Sequence, residues 1–132
     1  MQKYTLKDFM RDFPDDKTCL EWLKNHRYPD GIYCKTCEKV TPHHHLISSR
    51  KSYSCQNCRN HVHPTANTIF HKSRTPLTTW FYVIYRIAQT HGNISAKQIE
   101  RETGVTYKTA WRMSKLIRSR LDETDENRND KN

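Results

Sequence analysis

Apolar residues recur along this chain with two different periods, and the change of period divides it into segments. Leu6, Phe9, Met10 and Phe13 follow an i, i+3, i+4, i+7 stripe behind Thr5, which suits a short capped helix. Pro14 stops that run, and Asp15 or Asp16 can start a second helix through about His26. Its Cys19, Leu20, Trp22 and Leu23 make a compact apolar patch, with Cys19 read as a small core residue. Pro29-Asp30-Gly31 is a turn into Ile32-Tyr33, where the helical period gives way to short extended stretches. Leu46 to Ser54, rich in β-branched, aromatic and serine residues, reads as the returning arm of a hairpin. Arg59 to Pro64 reads as a further strand with His61 and His63 on one face.

The helical period then returns. Behind Pro76, the residues Leu77, Trp80, Phe81, Ile84, Ile87 and Ala88 recur at helical spacing, which predicts a core helix ended by Gly92-Asn93. Ser95 caps a segment from Ala96 to about Thr103 with Ile99 inward, and Gly104-Val105 makes a tight turn. Thr106 caps a last helix to about Leu121. Helix, short glycine turn and helix, behind a supporting helix, is the helix-turn-helix pattern. At about 100° per residue, Ala110, Met113, Ile117 and Leu121 fall on one side, with Lys108, Arg112, Lys115 and Ser119 opposite. In a reading helix that outer face enters the major groove. Arg112 and Lys108 suit guanine acceptors, while Thr106, Tyr107 and Thr109 suit phosphate near the helix start. From Asp122 onward the chain is polar and unpatterned, so a disordered tail is expected.

Inside the extended region lie Cys34-Lys35-Thr36-Cys37 and Cys55-Gln56-Asn57-Cys58, separated by seventeen residues. Two C-x-x-C pairs at this spacing point to one structural Zn²⁺, because each tight turn delivers two thiolates to one edge of a tetrahedron. A disulfide framework fits poorly with five cysteines and no signal-peptide pattern. The His43-His44-His45 triplet reads as an exposed loop, since alternate side chains of an extended segment diverge.

Charge changes the picture. The formal net charge is +9 over 132 residues, nearer +7 once four thiolates and one Zn²⁺ are counted. Between Glu38 and Glu100 there is no Asp or Glu, while that span holds eight Lys/Arg and seven of the eight histidines. Such a surface suits a polyanion. No apolar run approaches membrane-spanning length.

Several stretches in fixed order resemble a family of bacterial insertion-sequence transposases of the zinc-ribbon DDE type. They are Phe13-Pro14-Asp15-Asp16, Cys19-Leu20, Tyr28-Pro29-Asp30-Gly31 before Cys34, Thr65 to His71, Thr75 to Phe81, and Gly104 to Met113. Asn67 stands where the family pattern has glycine, a departure expected to tighten or reshape that turn. The resemblance implies a zinc ribbon followed by a helix-turn-helix that recognises element ends. It also implies a separate RNase H-like domain whose spaced carboxylates hold two divalent metals. The stretches that match stop before that domain, so end recognition without strand chemistry is expected of these residues, which are not read as an enzyme.

The expected architecture is α+β. It comprises N-terminal helices over 1–28, a zinc ribbon of short antiparallel strands over 29–74, a three-helix helix-turn-helix domain over 75–121 and the tail over 122–132. Zinc ligands are Cys34, Cys37, Cys55 and Cys58. DNA contacts are assigned to Thr106, Tyr107, Lys108, Thr109, Arg112 and Lys115, with Arg50, Lys51 and Arg59 of the ribbon holding the backbone. The expected partner is double-stranded DNA, with a full-length transposase or a second copy of the chain as further candidates, and no membrane. The expected location is the bacterial cytoplasm, at the nucleoid. The principal alternative is a stand-alone zinc-ribbon/helix-turn-helix regulator of transcription. A histidine-metal nuclease and a ribbon that contacts only protein are further alternatives. Salt separates the last of these, because phosphate binding weakens steeply with ionic strength.

Overall fold

The computed structural model describes residues 4–41, 44–47, 51–71 and 73–130, with the backbone alone for 41, 44, 45 and 121–130. The chain forms two compact units, Met1–Thr78 and Thr79–Asn132. The N-terminal helices and the ribbon, expected as separate segments, thus share the first unit. Among the described residues no helix is long and apolar enough to cross a membrane.

In the first unit, α1 (Leu6–Asp12) begins where the cap chemistry requires. The Thr5 hydroxyl accepts the Asp8 amide while the Asp8 carboxylate accepts the Thr5 amide, a reciprocal box that satisfies two orphan donors. Only Phe9 of the expected stripe is deeply buried, and Leu6 and Met10 are exposed. Phe13 meets Phe9 at 5.5 Å and Trp22 edge-on at 6.2 Å, so the chain after α1 is pinned by aromatic contact. Helix α2 (Asp16–Arg27) is capped by Asp15 and buries Cys19, Leu20 and Leu23. Trp22 differs from the expected patch: it is exposed and stacks on His26, one turn on, at 4.9 Å.

Three contacts fasten α2 to later segments of the same unit. The Lys24 ammonium lies 5.1 Å from the Tyr53 ring centroid. The Arg27 guanidinium donates to the carbonyls of Pro64 and Ala66 at 2.7 and 2.9 Å. The Asp16 carboxylate accepts the Thr78 amide at 2.9 Å, satisfying an orphan donor in the first turn of α3 (Leu77–Gln89).

The expected short strands of the ribbon fall into two small antiparallel sheets. One pairs β1 (Ile32–Cys34) with β2 (Lys39–Thr41), and the other orders β3 (His44–Ile47), β4 (Ser52–Cys55) and β5 (His61–Val62) as 3-4-5. His44 and His45 are therefore strand backbone paired with Cys55 and Ser54, a correction to the expected loop, while His43 lies outside the described residues. Pairing with β4 draws them in, because an unpaired strand edge leaves backbone donors and acceptors unsatisfied. His63 lies beyond the short β5, so only His61 of the expected pair is on the strand. Asn67 adopts φ +62°, the left-handed conformation for which glycine is usual and asparagine is among the best tolerated substitutes. The turn around it is held by the Ala66 amide, which donates to the His63 carbonyl, and by the Thr68 amide, which donates to that of Thr65.

The second unit begins at Thr79, within α3, and continues through α4 (Ala96–Thr103) and α5 (Tyr107–Asp130). Trp80, Val83, Ile87, Ile94, Ile99, Ala110, Met113 and Ile117 are buried at 5% exposure or less and make its core. Ala88, expected inside, is exposed, and Val83 takes the inward position. Gly104 ends α4 at φ +81°, a left-handed cap that lets the chain reverse direction within three residues. Helix α5 continues to Asp130, past Leu121, near which the last helix was expected to end. No glycine or proline interrupts residues 107–130, and Glu123, Glu126 and Arg128 favour helix.

Two polar braces fix the helices of this unit. Arg86 on α3 grips the Glu102 carboxylate on α4 at 2.7 and 2.9 Å, and Gln98 and Tyr82 donate to the same carboxylate. Arg118 on α5 donates to the carbonyls of Gly92 and Ile94 at 2.7 Å each and to the Ser114 hydroxyl, closing the α3–α4 loop. Bidentate geometry makes both braces directional.

The Arg86 brace predicts a pH dependence. The guanidinium beside Glu102 holds its carboxyl down to about 2, from an ordinary 4.5. A depressed carboxylate contributes stability that is present above pH 4.5 and lost as pH falls from there through about 2. That contribution is on the order of 3 kcal/mol. Glu102→Gln should therefore unfold the second unit at lower urea than the unsubstituted chain at pH 7. The difference between the two should shrink on acidification from pH 5 toward pH 2. A constant difference across that window would contradict the brace.

Candidate metal centre and candidate nucleic-acid interface

Each C-x-x-C pair sits where a strand ends and a tight turn begins. Cys34 closes β1 opposite Lys39, and Cys55 closes β4 opposite His44. In the second turn the Cys55 amide donates to Asn60 and the Arg59 amide returns to Cys55. Glu38 and Arg59, each following the second cysteine of its pair, both take positive φ, at +55° and +63°. A non-glycine residue there costs roughly 1–2 kcal/mol, so something must hold the turns closed.

The four Sγ atoms lie within 4.8 Å of one another, with Cys34 to Cys58 at 3.3 Å and Cys37 to Cys55 at 3.9 Å. A tetrahedron with Zn–S bonds of about 2.3 Å has edges of about 3.8 Å. The sulfurs thus fit one zinc ion. Cys34 and Cys55 are buried while Cys37 and Cys58 are half-buried, so the site is closed on its inner side. Backbone amides prepare the thiolates. The Cys37 amide donates to Cys34 Sγ at 3.4 Å and lowers that thiol, while the Cys58 and Asn57 amides bring Cys55 down to about 6. Cys37 and Cys58 are shifted the other way, Cys37 up to about 12 by the Cys58 thiol beside it and Cys58 by that of Cys34, so metal binding, which needs all four sulfurs deprotonated, displaces protons. Cys19 is fully buried and its thiol is pushed up to about 12 by burial, then by Asp16 and Asp15, as suits a core residue. Beside the site, the Ser52 hydroxyl and His61 Nδ1 are 2.9 Å apart, a buried link between β4 and β5 that no spacing rule reveals.

The residues assigned to DNA fall in two places. In the first unit Lys51 and Arg59 are exposed, and Arg50 lies outside the described residues. In the second, Thr106, Tyr107, Lys108, Arg112 and Lys115 are exposed along the start of α5, with Ser119 further on. Thr106 is committed to capping, since its hydroxyl accepts the Thr109 amide at 3.2 Å and bonds the Thr109 hydroxyl at 3.0 Å. Thr109 is half-buried. The exposed face also carries Trp111, absent from the residues assigned by sequence, with the Lys115 ammonium 4.9 Å from its ring centroid. Its signal was available: at about 100° per residue, Trp111 falls in line with Tyr107 on the side away from Met113 and Ile117.

Comparison with known proteins bears on the first unit most directly. Residues 14–61 match the transposase zinc-ribbon domain family. Over 115 residues, 86% of this chain, the sequence is 26% identical to an uncharacterized protein in transposable element ISH50 of Halobacterium salinarum. The matched portion spans 38% of that relative's length. No solved structure matches.

Two substitutions test the metal assignment. Cys34→Ser or Cys58→Ser should abolish tight zinc binding, read as loss of the single equivalent of zinc by elemental analysis. The β1–β5 amide dispersion in NMR spectra should collapse with it, because closure of four ligands supplies apparent folding free energy of about 10–16 kcal/mol. Cys19→Ala should keep its zinc. A dispersed, zinc-free ribbon in either serine variant would contradict the assignment. The stretch that matches the transposase zinc-ribbon domain, residues 14–61, is thus the one that carries the four sulfurs placed to hold one metal ion.

Proposed function

We propose that this chain is the DNA-binding portion of an insertion-sequence transposase, recognising element ends through its ribbon and through α4 and α5 acting as a helix-turn-helix. The observation that carries the proposal is the start of α5. Lys108, Arg112 and Lys115 are exposed on one face, opposite the buried Ala110, Met113 and Ile117, directly after the Gly104 turn. No Asp or Glu occurs from Val105 to Leu121, so nothing on that stretch repels phosphate. Such a helix offers its N-terminal turns to base edges in the major groove. Arg112 and Lys108 read guanine, Lys115 extends the cationic face, and Tyr107, with the cap residues Thr106 and Thr109, borders the backbone. Exposed Lys51 and Arg59 of the ribbon hold phosphate, as does Arg50. Partners beyond DNA, a full-length transposase or a second copy, belong to the same reading, as does a place at the bacterial nucleoid.

Cleavage and joining are assigned outside these residues. Glu102 is engaged by Arg86, Gln98 and Tyr82, and a closed four-thiolate zinc leaves no position for water. Glu100 and Glu102 diverge by about 200° along α4 and cannot share an ion.

Selection from a random duplex library, followed by titration of the selected and of random duplexes at several salt concentrations, tests the reading. Arg112→Ala should weaken the selected duplex by roughly 1–3 kcal/mol and relax one position. Lys51→Ala should weaken both duplexes about equally and reduce the salt slope by about 1. Equal losses on both duplexes for Arg112→Ala would move the reading element elsewhere.

A second outcome concerns chemistry. Purified chain in Mg²⁺ or Mn²⁺ should leave supercoiled and end-bearing DNA intact. Nicking that copurifies with the protein and is lost in Glu100→Gln would overturn the non-catalytic assignment.

A further inference from the structure

Trp111 is left without a role by the core and by the cationic reading face, and Tyr107, which borders the backbone in that reading, lies beside it. Tyr107 and Trp111 are 47% and 51% exposed at the first and second turns of α5. Four residues apart, they form one continuous ridge along the helix. It runs beside the Lys108–Arg112 ridge, displaced from it by about 100° around the axis. Cations flank it on both sides. The Lys97 ammonium of α4 lies 5.8 Å from the Tyr107 centroid, and Lys115 lies 4.9 Å from that of Trp111.

We propose that Trp111, on this aromatic ridge, is a second reading element, contacting the C5-methyl group of a thymine in the major groove beside the bases that Lys108 and Arg112 meet. The proposal rests on the reading of α5 as the DNA-contacting helix. Charge commits the ridge to DNA rather than to a protein: its neighbours are Lys97, Lys108, Arg112 and Lys115. Chemistry then selects the base. An indole has one N–H donor and no acceptor, so it cannot reproduce the bidentate pairings by which polar side chains read adenine or guanine. Its large apolar surface is complementary to the one apolar feature of the groove floor, the thymine methyl. The groove, about 12 Å wide, admits a helix with two adjacent ridges facing inward. The lysines over the rings keep the aromatic faces within an electropositive surface, so the ridge reaches the groove without opposing the phosphates.

The test uses the zinc-loaded chain and its selected duplex, with each thymine replaced in turn by deoxyuridine, which lacks only the methyl. At one or more positions the wild-type chain should lose about fourfold in affinity, the value of one buried methyl. Trp111→Ala should bind the thymine and deoxyuridine duplexes equally at that position, while Lys51→Ala should keep the fourfold difference. Trp111→Gln, which retains a long helix-favouring side chain, replaces the alanine variant if circular dichroism shows lost helicity. Methyl dependence that persists in the Trp111 variants, or selective wild-type binding with no methyl dependence at all, would overturn the ridge and leave the Arg112 reading standing. Failure of the wild-type chain to select any duplex would remove both.

Discussion

The fold of the first unit hangs on four sulfur atoms held within 4.8 Å of one another. Strands of two to four residues cannot stabilise themselves in water, and neither small sheet has a face large enough to build a core. Zinc supplies what burial cannot, and it acts on the positions where the backbone is least comfortable. The left-handed Glu38 and Arg59 each follow a ligand cysteine, so closing the tetrahedron holds both turns in a conformation that an ordinary residue disfavours. Around that centre the α2 helix clamps the ribbon through Lys24 on Tyr53 and through Arg27 on the carbonyls of Pro64 and Ala66. The match to a transposase zinc-ribbon domain falls on this same stretch, residues 14–61.

The second unit rests on a helical core. Among its described residues eight apolar side chains are deeply buried, and two arginines do the fine positioning. Arg86 sets α4 against α3 through Glu102, and Arg118 sets α5 against the loop between them. The angle at which α5 leaves the Gly104 turn is thereby constrained from both ends. That constraint matters for the proposed role, because a reading helix must offer its side chains to base edges from a rigid mount.

Much of this was legible wherever the determining chemistry is local. Thr5, Asp15 and Ser95 announce their helices because a cap is decided within four residues. The zinc ligands follow from spacing, and the left-handed Gly104 from the break between two helical patterns. What stayed hidden depends on pairing across distance. Arg27 meets carbonyls 37 and 39 residues away, and the Ser52–His61 link follows from the register of two short strands. The division into two sheets was equally invisible, since strands this short carry no distinctive alternation. Trp22 and Leu6 were assigned inward from helical spacing alone, but a helix resting on a small unit has too little core to cover a full stripe. The extension of α5 was missed for a different reason: polar composition was weighed above the absence of any helix-breaking residue.

A metal-built ribbon and a rigidly braced helix share one chain, and the central claim is that DNA meets the N-terminal turns of α5. The most direct measurement is an NMR titration of the zinc-loaded, ¹⁵N-labelled chain with its selected duplex. The largest amide shift changes should run from Thr106 to Lys115, with the indole N–H of Trp111 among the most affected signals. Saturable DNA binding that leaves those signals unmoved, with all changes elsewhere, would contradict the claim.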